Sequence, residues 1–110
     1  MEKKRGSLLS DKRGEIWTVD LNGKRRSVVI VSNDNVIVEL DHLIATVTSQ
    51  HTRNEFDVVI ENWEETGLDT PSIVRCSKLN TVHFKELLFK IGKLHEHDLE
   101  RVLTIIRNYF

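Results

Sequence analysis

The chain is poor in the residues that mark secreted, metal-rich or membrane proteins. It has one cysteine, Cys76, which excludes an internal disulfide and any multi-cysteine metal site. No apolar run approaches the roughly 20 residues that a membrane-spanning helix requires. The first eleven residues also contain no apolar segment typical of a signal peptide. These absences predict a cytosolic chain that does not associate with membranes.

The chain carries no net positive charge, but its cations are unevenly distributed. The 110 residues carry a formal net charge of −1, which argues against a constitutive nucleic-acid binder. Residues 1–26 nevertheless contain eight Lys and Arg against four Asp and Glu, whereas residues 27–110 contain eight against thirteen. This local excess of cations indicates either a solvated, flexible N-terminal arm or a surface that attracts phosphate.

The clearest structural pattern is a β-hairpin centred on Asn22-Gly23. Two apolar segments flank this dipeptide, and Asn-Gly accepts positive φ angles at both central positions of a tight turn. The predicted strands are residues 15–21 and 26–32. Lys24, Arg25 and Arg26 follow the turn, so three cations would lie at the mouth of the sheet, where an anionic ligand could bind.

The remaining pattern predicts an α+β fold with many short strands and a terminal helix. Further strands are predicted at residues 43–48, 56–60 and 72–76, with a continuation at 79–82; residues 36–40 fit a strand or one turn of helix. A short helix is predicted at 83–89 and a longer one at 96–108, where apolar residues recur at helical spacing. Cys76 and Trp17 are expected in the core. One domain, residues 13–110, would follow a flexible basic arm at 1–12.

Four segments also resemble a known protein family. RGEIWTVDL at 13–21, followed by Arg26 and an apolar run ending in Ser-Asn-Asp at 32–34, resembles the opening of MazF/PemK-type toxins. Residues 45–50, 67–74 and 90–94 resemble three later segments of that family, in the same order. The resemblance implies a small SH3-like β-barrel with a C-terminal helix, shared by CcdB and PemK. It also implies a homodimer that binds single-stranded RNA across its two-fold interface, and a cognate antitoxin protein.

The resemblance implies metal-independent RNA cleavage, in which the 2′-hydroxyl of the substrate attacks the adjacent phosphate. It places Arg26 and Thr48 at the catalytic Arg and Thr of the family, and a guanidinium suits the charge that develops on phosphate. His51, three residues after Thr48, is the candidate for acid–base catalysis. The candidate RNA-binding residues are Lys24, Arg25, Ser49, Gln50, Arg53, Lys78 and Asn80. No metal or other cofactor is expected, and the other histidines are expected at the surface: His42, His83, His95 and His97.

Two departures from the family pattern keep other functions open. Typical members have a longer first loop that carries a glutamate, whereas this chain has only Asn22-Gly23-Lys24-Arg25 before Arg26. Asn80 also stands where members commonly have an arginine. One alternative is a CcdB-like gyrase poison that acts through its C-terminal helix, where residues 105–110 end in apolar side chains. The other is an RNA-binding regulator that does not cleave.

Overall fold

The computed structural model describes residues 12–34 and 41–110, and its first element is the predicted hairpin. Strands β1 (Glu15–Leu21) and β2 (Lys24–Ile30) are antiparallel, with Leu21 opposite Lys24. Asn22 and Gly23 have φ angles of 55° and 83°, as a two-residue turn between twisted strands requires. The Asp20 side chain accepts a 2.9 Å hydrogen bond from the Gly23 amide, which fixes the turn.

Four further strands and one helix complete the described fold. They are β3 (Asp41–Thr48), β4 (Asp57–Val59), β5 (Ile73–His83), β6 (Leu87–Lys93) and α1 (Glu96–Tyr109). All pairings are antiparallel, in the order β4-β5-β3-β2-β1-β6. The predicted α+β class with a C-terminal helix is confirmed. The sheet is barrel-like rather than closed, because the described residues form no ladder between β4 and β6.

Apolar side chains cover both faces of the sheet. The uninterrupted run at residues 28–31 supplies both faces, because consecutive strand residues point to opposite sides. Val29 and Val31 join a cluster that includes Val102 and Leu103 of α1. Val28 and Ile30 join a second cluster on the other face with five further buried residues: Trp17, Val19, Ile44, Val82 and Leu87.

The predicted helix at 83–89 is wrong. Only Phe84–Glu86 form one 3-10 turn, and the following residues form β6, an edge strand that pairs with β1. The apolar residues of this segment fit a short helix as well as a strand, so local spacing did not discriminate between them. Pairing of Phe89 with Thr18 and of Lys90 with Trp17 gives the backbone a ladder that an isolated helical turn lacks.

The other strand predictions agree with the structure to within a few residues. Residues 72–76 and 79–82 belong to the single strand β5, whose register against β3 shifts between Ala45 and Thr46. Helix α1 is one residue longer than predicted at its C-terminus. Residues 36–40, and the predicted arm except for Lys12, lie outside the described residues. Within the described part, no helix has the length and apolar character needed to cross a bilayer.

Burial of individual side chains confirms two expectations and corrects a third. Trp17 and Cys76 are in the core. Burial, followed by the nearby carboxylate of Asp57, raises the pKa of the Cys76 thiol to about 11. His42, expected at the surface, is buried because strand alternation places it on the same face as Ile44. His95 and His97 are exposed, as expected, and His83 is half-buried.

A buried carboxylate joins the start of α1 to the segment that follows β4. Asp98 is fully buried, and its oxygens accept hydrogen bonds from the backbone amides of Glu61 at 3.2 Å and Asn62 at 2.9 Å. The Asn62 side-chain amide and the Arg101 guanidinium also donate to it. Burial by itself raises the pKa of Asp98, but these donors outweigh burial and the net pKa is lowered.

We expect Asp98→Asn to lower the free energy of unfolding by about 1–3 kcal/mol at pH 7, because the buried donors lose a charged acceptor. A carboxyl with a lowered pKa stabilises the fold above its unfolded pKa of 3.8, and this contribution is lost as the pH falls through the folded value. The difference in the free energy of unfolding between wild type and variant should therefore become smaller below about pH 4.

Urea unfolding of both proteins at pH 7 and pH 3 measures this difference. The exposed Asp69 provides the matched control, since Asp69→Asn should change stability by less than about 0.5 kcal/mol. If Asp98→Asn lowers the free energy of unfolding by the same amount at both pH values, the assigned role of the carboxylate is contradicted.

Candidate functional site

A groove of about 530 Å³ lies where the β1–β2 turn meets the end of β3 and the middle of β5. Five cationic side chains line it: Lys24, Arg26, Arg53, Arg75 and Lys78. No carboxylate is among the described residues that line it. The other lining residues are Leu21, Asn22, Thr46, Val47, Thr48 and Gln50. We call this surface the basic groove, and its charge suits a polyanion.

Arg26 and Thr48 face the basic groove from neighbouring strands. Arg26 is exposed on β2, and its side chain makes no hydrogen bond or ion pair within the described part of the chain. No described residue therefore competes with a ligand for its guanidinium. Thr48 is half-buried at the last position of β3, and its Oγ1 accepts a 3.2 Å hydrogen bond from the Gln50 amide. Because a hydroxyl has one proton to donate, this geometry leaves that proton free for an acceptor in the groove.

Arg75 is a groove residue that the sequence analysis missed. Its side chain is only 6% exposed, and its Nη1 lies 2.6 Å from Oδ2 of Asp57, whose side chain is fully buried. Its Nη2 donates to Oε1 of Gln50 and to the carbonyl of His51, both at 3.2 Å. The available signal was a lone cation inside the apolar strand at 72–76.

The predicted site residues divide into two groups. Six of them line the basic groove: Lys24, Arg26, Thr48, Gln50, Arg53 and Lys78. The guanidinium of Arg25 instead lies 5.9 Å from the ring centre of Phe89, and Asn80 is exposed on β5 opposite Ile44. The ring of His51 is exposed and does not line the groove, although its carbonyl binds Arg75.

Ser49 lines a second groove of about 450 Å³, which also contains Thr48 and Val47. This groove has a different chemistry, because hydroxyl groups dominate its lining and Asp69 is its one charged lining residue among those described. Thr48 therefore separates a cationic surface from a hydroxyl-rich one at the end of β3.

One group of side chains near α1 has the donor types of a metal site. The ligand atoms of Glu61, His97 and Asp98 lie within 4.8 Å of one another. However, Arg101 already contributes a positive charge there, with Nη1 3.1 Å from Asp98 and 3.7 Å from Glu61. The carboxylates are thus paired with a protein cation, and the arrangement is explained by the anchoring of α1.

Comparisons with known proteins identify relatives of this architecture. Residues 12–110 match a family model described as PemK-like, MazF-like toxin of type II toxin–antitoxin systems. Comparison of the sequence with curated proteins found no significant match.

Several solved structures share the fold at low sequence identity. An endoribonuclease from a mycobacterial species, solved with its cognate antitoxin, has a TM-score of 0.77 and 19% identity, covering 88% of this chain and 91% of that one. The Mycobacterium tuberculosis toxin MazF-mt6 has a TM-score of 0.72 and 24% identity, covering 86% and 93%. A MazE-MazF structure from Deinococcus radiodurans has a TM-score of 0.72 and 15% identity, covering 88% and 91%.

The ion pair beneath the groove generates a stability prediction. We expect Arg75→Ala to lower the free energy of unfolding by about 3–5 kcal/mol, because it leaves the Asp57 carboxylate buried without its cation. Arg53→Ala removes an exposed guanidinium from the same groove and should cost less than about 1 kcal/mol. Urea unfolding at pH 7 compares the two, and equal losses would contradict a special role for the buried pair.

Proposed function

The chain belongs to the PemK-like, MazF-like toxins of type II toxin–antitoxin systems, and on this premise we propose that it is an endoribonuclease that cleaves single-stranded RNA in the basic groove. The observation that carries the proposal is the grouping of five cations and Thr48 in the lining of one groove. In the proposed reaction, the ribose 2′-hydroxyl attacks the neighbouring phosphate and forms a 2′,3′-cyclic phosphate, while the bond from phosphorus to the 5′-oxygen of the next nucleotide breaks. The 2′-hydroxyl loses its proton to water and the leaving 5′-oxygen takes one from water, so the RNA supplies its own nucleophile. The protein must then position the phosphate and stabilise its developing charge.

Arg26 is the proposed main electrostatic catalyst. Its guanidinium faces the groove and has no partner among the described residues, so binding a phosphate would not break an existing protein contact. The planar fork matches two phosphate oxygens and keeps its charge throughout the reaction. Lys24 and Lys78 add charge along the groove, which favours binding of the RNA backbone on either side of the reacting phosphate.

Thr48 is the proposed second donor. Its Oγ1 accepts a hydrogen bond from the Gln50 backbone amide, so the hydroxyl can still donate its own proton, and a phosphate oxygen in the groove fits the role of acceptor. None of the described side chains lining the groove is a carboxylate or histidine. The proposed rate enhancement therefore comes mainly from positioning and charge stabilisation, and no bound metal is required.

The proposed assembly has two parts. We propose that two copies form a homodimer, as the family resemblance implies. We also propose that a cognate antitoxin inhibits it, because one solved relative is an endoribonuclease in complex with its cognate antitoxin and another is a MazE-MazF structure. An acidic or amphipathic antitoxin segment would complement the cations that follow the turn, and it would cover Arg25 and Arg26. Such a segment would compete with RNA for the same charges.

The first test of the function uses purified protein and a long RNA with little secondary structure, in the presence of EDTA. We expect discrete cuts, mapped by primer extension, and at least a 100-fold slower reaction with Arg26→Ala, because one preorganised charge at the reacting phosphate is lost. Arg107→Ala is the matched control. Arg107 is exposed on α1 and paired with Glu100, so its loss changes the net charge equally but leaves the groove intact.

Four other outcomes would change the proposal or favour an alternative function. Unchanged cutting by Arg26→Ala would overturn the assigned role of Arg26, and cutting only without EDTA would contradict metal independence. A folded wild type that binds RNA without cutting it would favour an RNA-binding regulator. If it neither binds nor cuts, the CcdB-like alternative gains support from the exposed Tyr109 and Phe110 at the end of α1.

His51 provides a separate test of acid–base catalysis. We expect His51→Ala to retain the cleavage rate within about threefold, because the His51 ring is outside the groove and its backbone carbonyl, not its ring, binds Arg75. Rates measured between pH 5.5 and 8 check this expectation. A pH dependence of the wild-type rate that disappears in His51→Ala, together with a tenfold loss of rate, would instead assign the proton transfer to His51.

A further inference from the structure

Asp57 is close to the basic groove but does not line it. It is the first residue of β4 and lies directly opposite Arg75 in the ladder with β5. Its side chain is fully buried, and it is not among the groove-lining residues. Asp57 therefore cannot touch a ligand bound in the groove, and any effect it has on such a ligand must pass through its neighbours.

Both contacts of the Asp57 carboxylate use the same oxygen. Oδ2 accepts from Nη1 of Arg75 at 2.6 Å and from the backbone amide of Arg53 at 2.7 Å. Oδ1 is buried and has no hydrogen-bond partner among the described residues. A buried acceptor without a partner costs free energy, so the fold retains this charge despite incomplete hydrogen bonding. The contacts that it does make hold one guanidinium and one loop amide.

The contacts continue from Arg75 to the loop that follows β3. Nη2 of Arg75 and Nη2 of Arg53 both donate to Oε1 of Gln50, at 3.2 Å and 2.9 Å. The backbone amide of Gln50 donates to the hydroxyl of Thr48, and the backbone carbonyl of His51 accepts from Arg75. A single buried carboxylate thus holds Arg53 directly and holds Gln50 and His51 through Arg75, and the Gln50 backbone in turn contacts Thr48.

We propose that Asp57 is a positioning residue for RNA cleavage: it fixes Arg75 and the Arg53 backbone, and thereby holds the loop that orients the Thr48 hydroxyl. This inference rests on the proposed ribonuclease function. Its physical basis is that a displacement of about 1 Å in a reacting group can lower a rate by about 100-fold. The hydrogen bonds from Thr48 to Asp57 form one connected set, so a change at Asp57 displaces groups that face the substrate.

Asp57→Asn separates positioning from simple electrostatics. The substitution keeps the shape of the side chain and removes a negative charge near a site that binds a polyanion, so charge alone predicts an unchanged or lower KM. Loss of positioning instead predicts a fall in kcat of about 10- to 100-fold. Steady-state cleavage of a short RNA oligonucleotide at constant ionic strength measures both constants, and we expect kcat to fall while KM does not rise.

Asp98→Asn is the matched control for a purely structural effect. Asp98 is also a fully buried carboxylate that accepts backbone amides and pairs with an arginine, but it lies at α1 and outside the basic groove. We expect its kcat to stay within twofold of wild type at a temperature where both variants are folded. An equal loss of kcat in the two variants, or an unchanged kcat in Asp57→Asn, would overturn the inference.

Proton exchange of the wild-type protein, followed by NMR, gives a test that does not depend on the variant folding or on RNA cleavage. We expect slow exchange for the Arg53 amide and for the Nη protons of Arg75, because both donate to a buried carboxylate. Fast exchange at both positions would overturn the positioning role even if Asp57→Asn fails to fold. If the wild-type protein does not cleave RNA, the ribonuclease proposal fails. The contacts of Asp57 would still be supported if proton exchange at these positions is slow in the wild type and becomes fast in folded Asp57→Asn.

Discussion

Burial of the sheet on both faces determines where this protein can carry polar chemistry. In β2 the last three residues are buried, whereas the first three, Lys24, Arg25 and Arg26, are exposed. In β5 the residues up to Cys76 are buried, and the following Ser77 and Lys78 are exposed. Charged groups inside the two-sided core would need buried partners. The groove cations Lys24, Arg26 and Lys78 accordingly lie in the exposed parts of their strands. Arg75 lies within a buried run, and there it has the buried partner Asp57.

Concentrating cations at one place creates a second constraint, because like charges repel. A chain with a net charge of −1 brings five cations together in the basic groove. The most buried of them, Arg75, is compensated by Asp57, and Arg53 shares the Gln50 oxygen with it. Two guanidiniums are thus held by the protein, whereas Arg26 has no partner within the described part of the chain. This division leaves uncompensated positive charge on the exposed part of the groove, where Lys24 and Lys78 likewise have no ion-pair partner among the described residues.

Features that depend on local sequence could be predicted, whereas features that depend on contacts between distant residues could not. Asn22-Gly23 and the apolar spacing of α1 are local signals, and the structure agrees with both. β6 was predicted incorrectly because its conformation depends on pairing with β1, which is about 70 residues away in sequence. The sequence shows Arg75 as a lone cation inside an apolar strand. Its pairing could not be predicted, because its partner Asp57 is 18 residues away and becomes adjacent only through strand pairing.

The short β1–β2 hairpin determines both how Arg26 is oriented and which side chains line the basic groove. Members of the family commonly have a longer loop with a glutamate at this position, whereas here the turn is two residues and Leu21 and Asn22 themselves line the groove. A turn of this length fixes the register of β1 and β2, and therefore the direction in which Arg26 points. It also removes the segment that would carry the carboxylate. No carboxylate or histidine is among the described residues lining the groove. The proposed ribonuclease reaction would therefore depend mainly on the orientation of the cations and of Thr48, and on the buried contacts that fix that orientation.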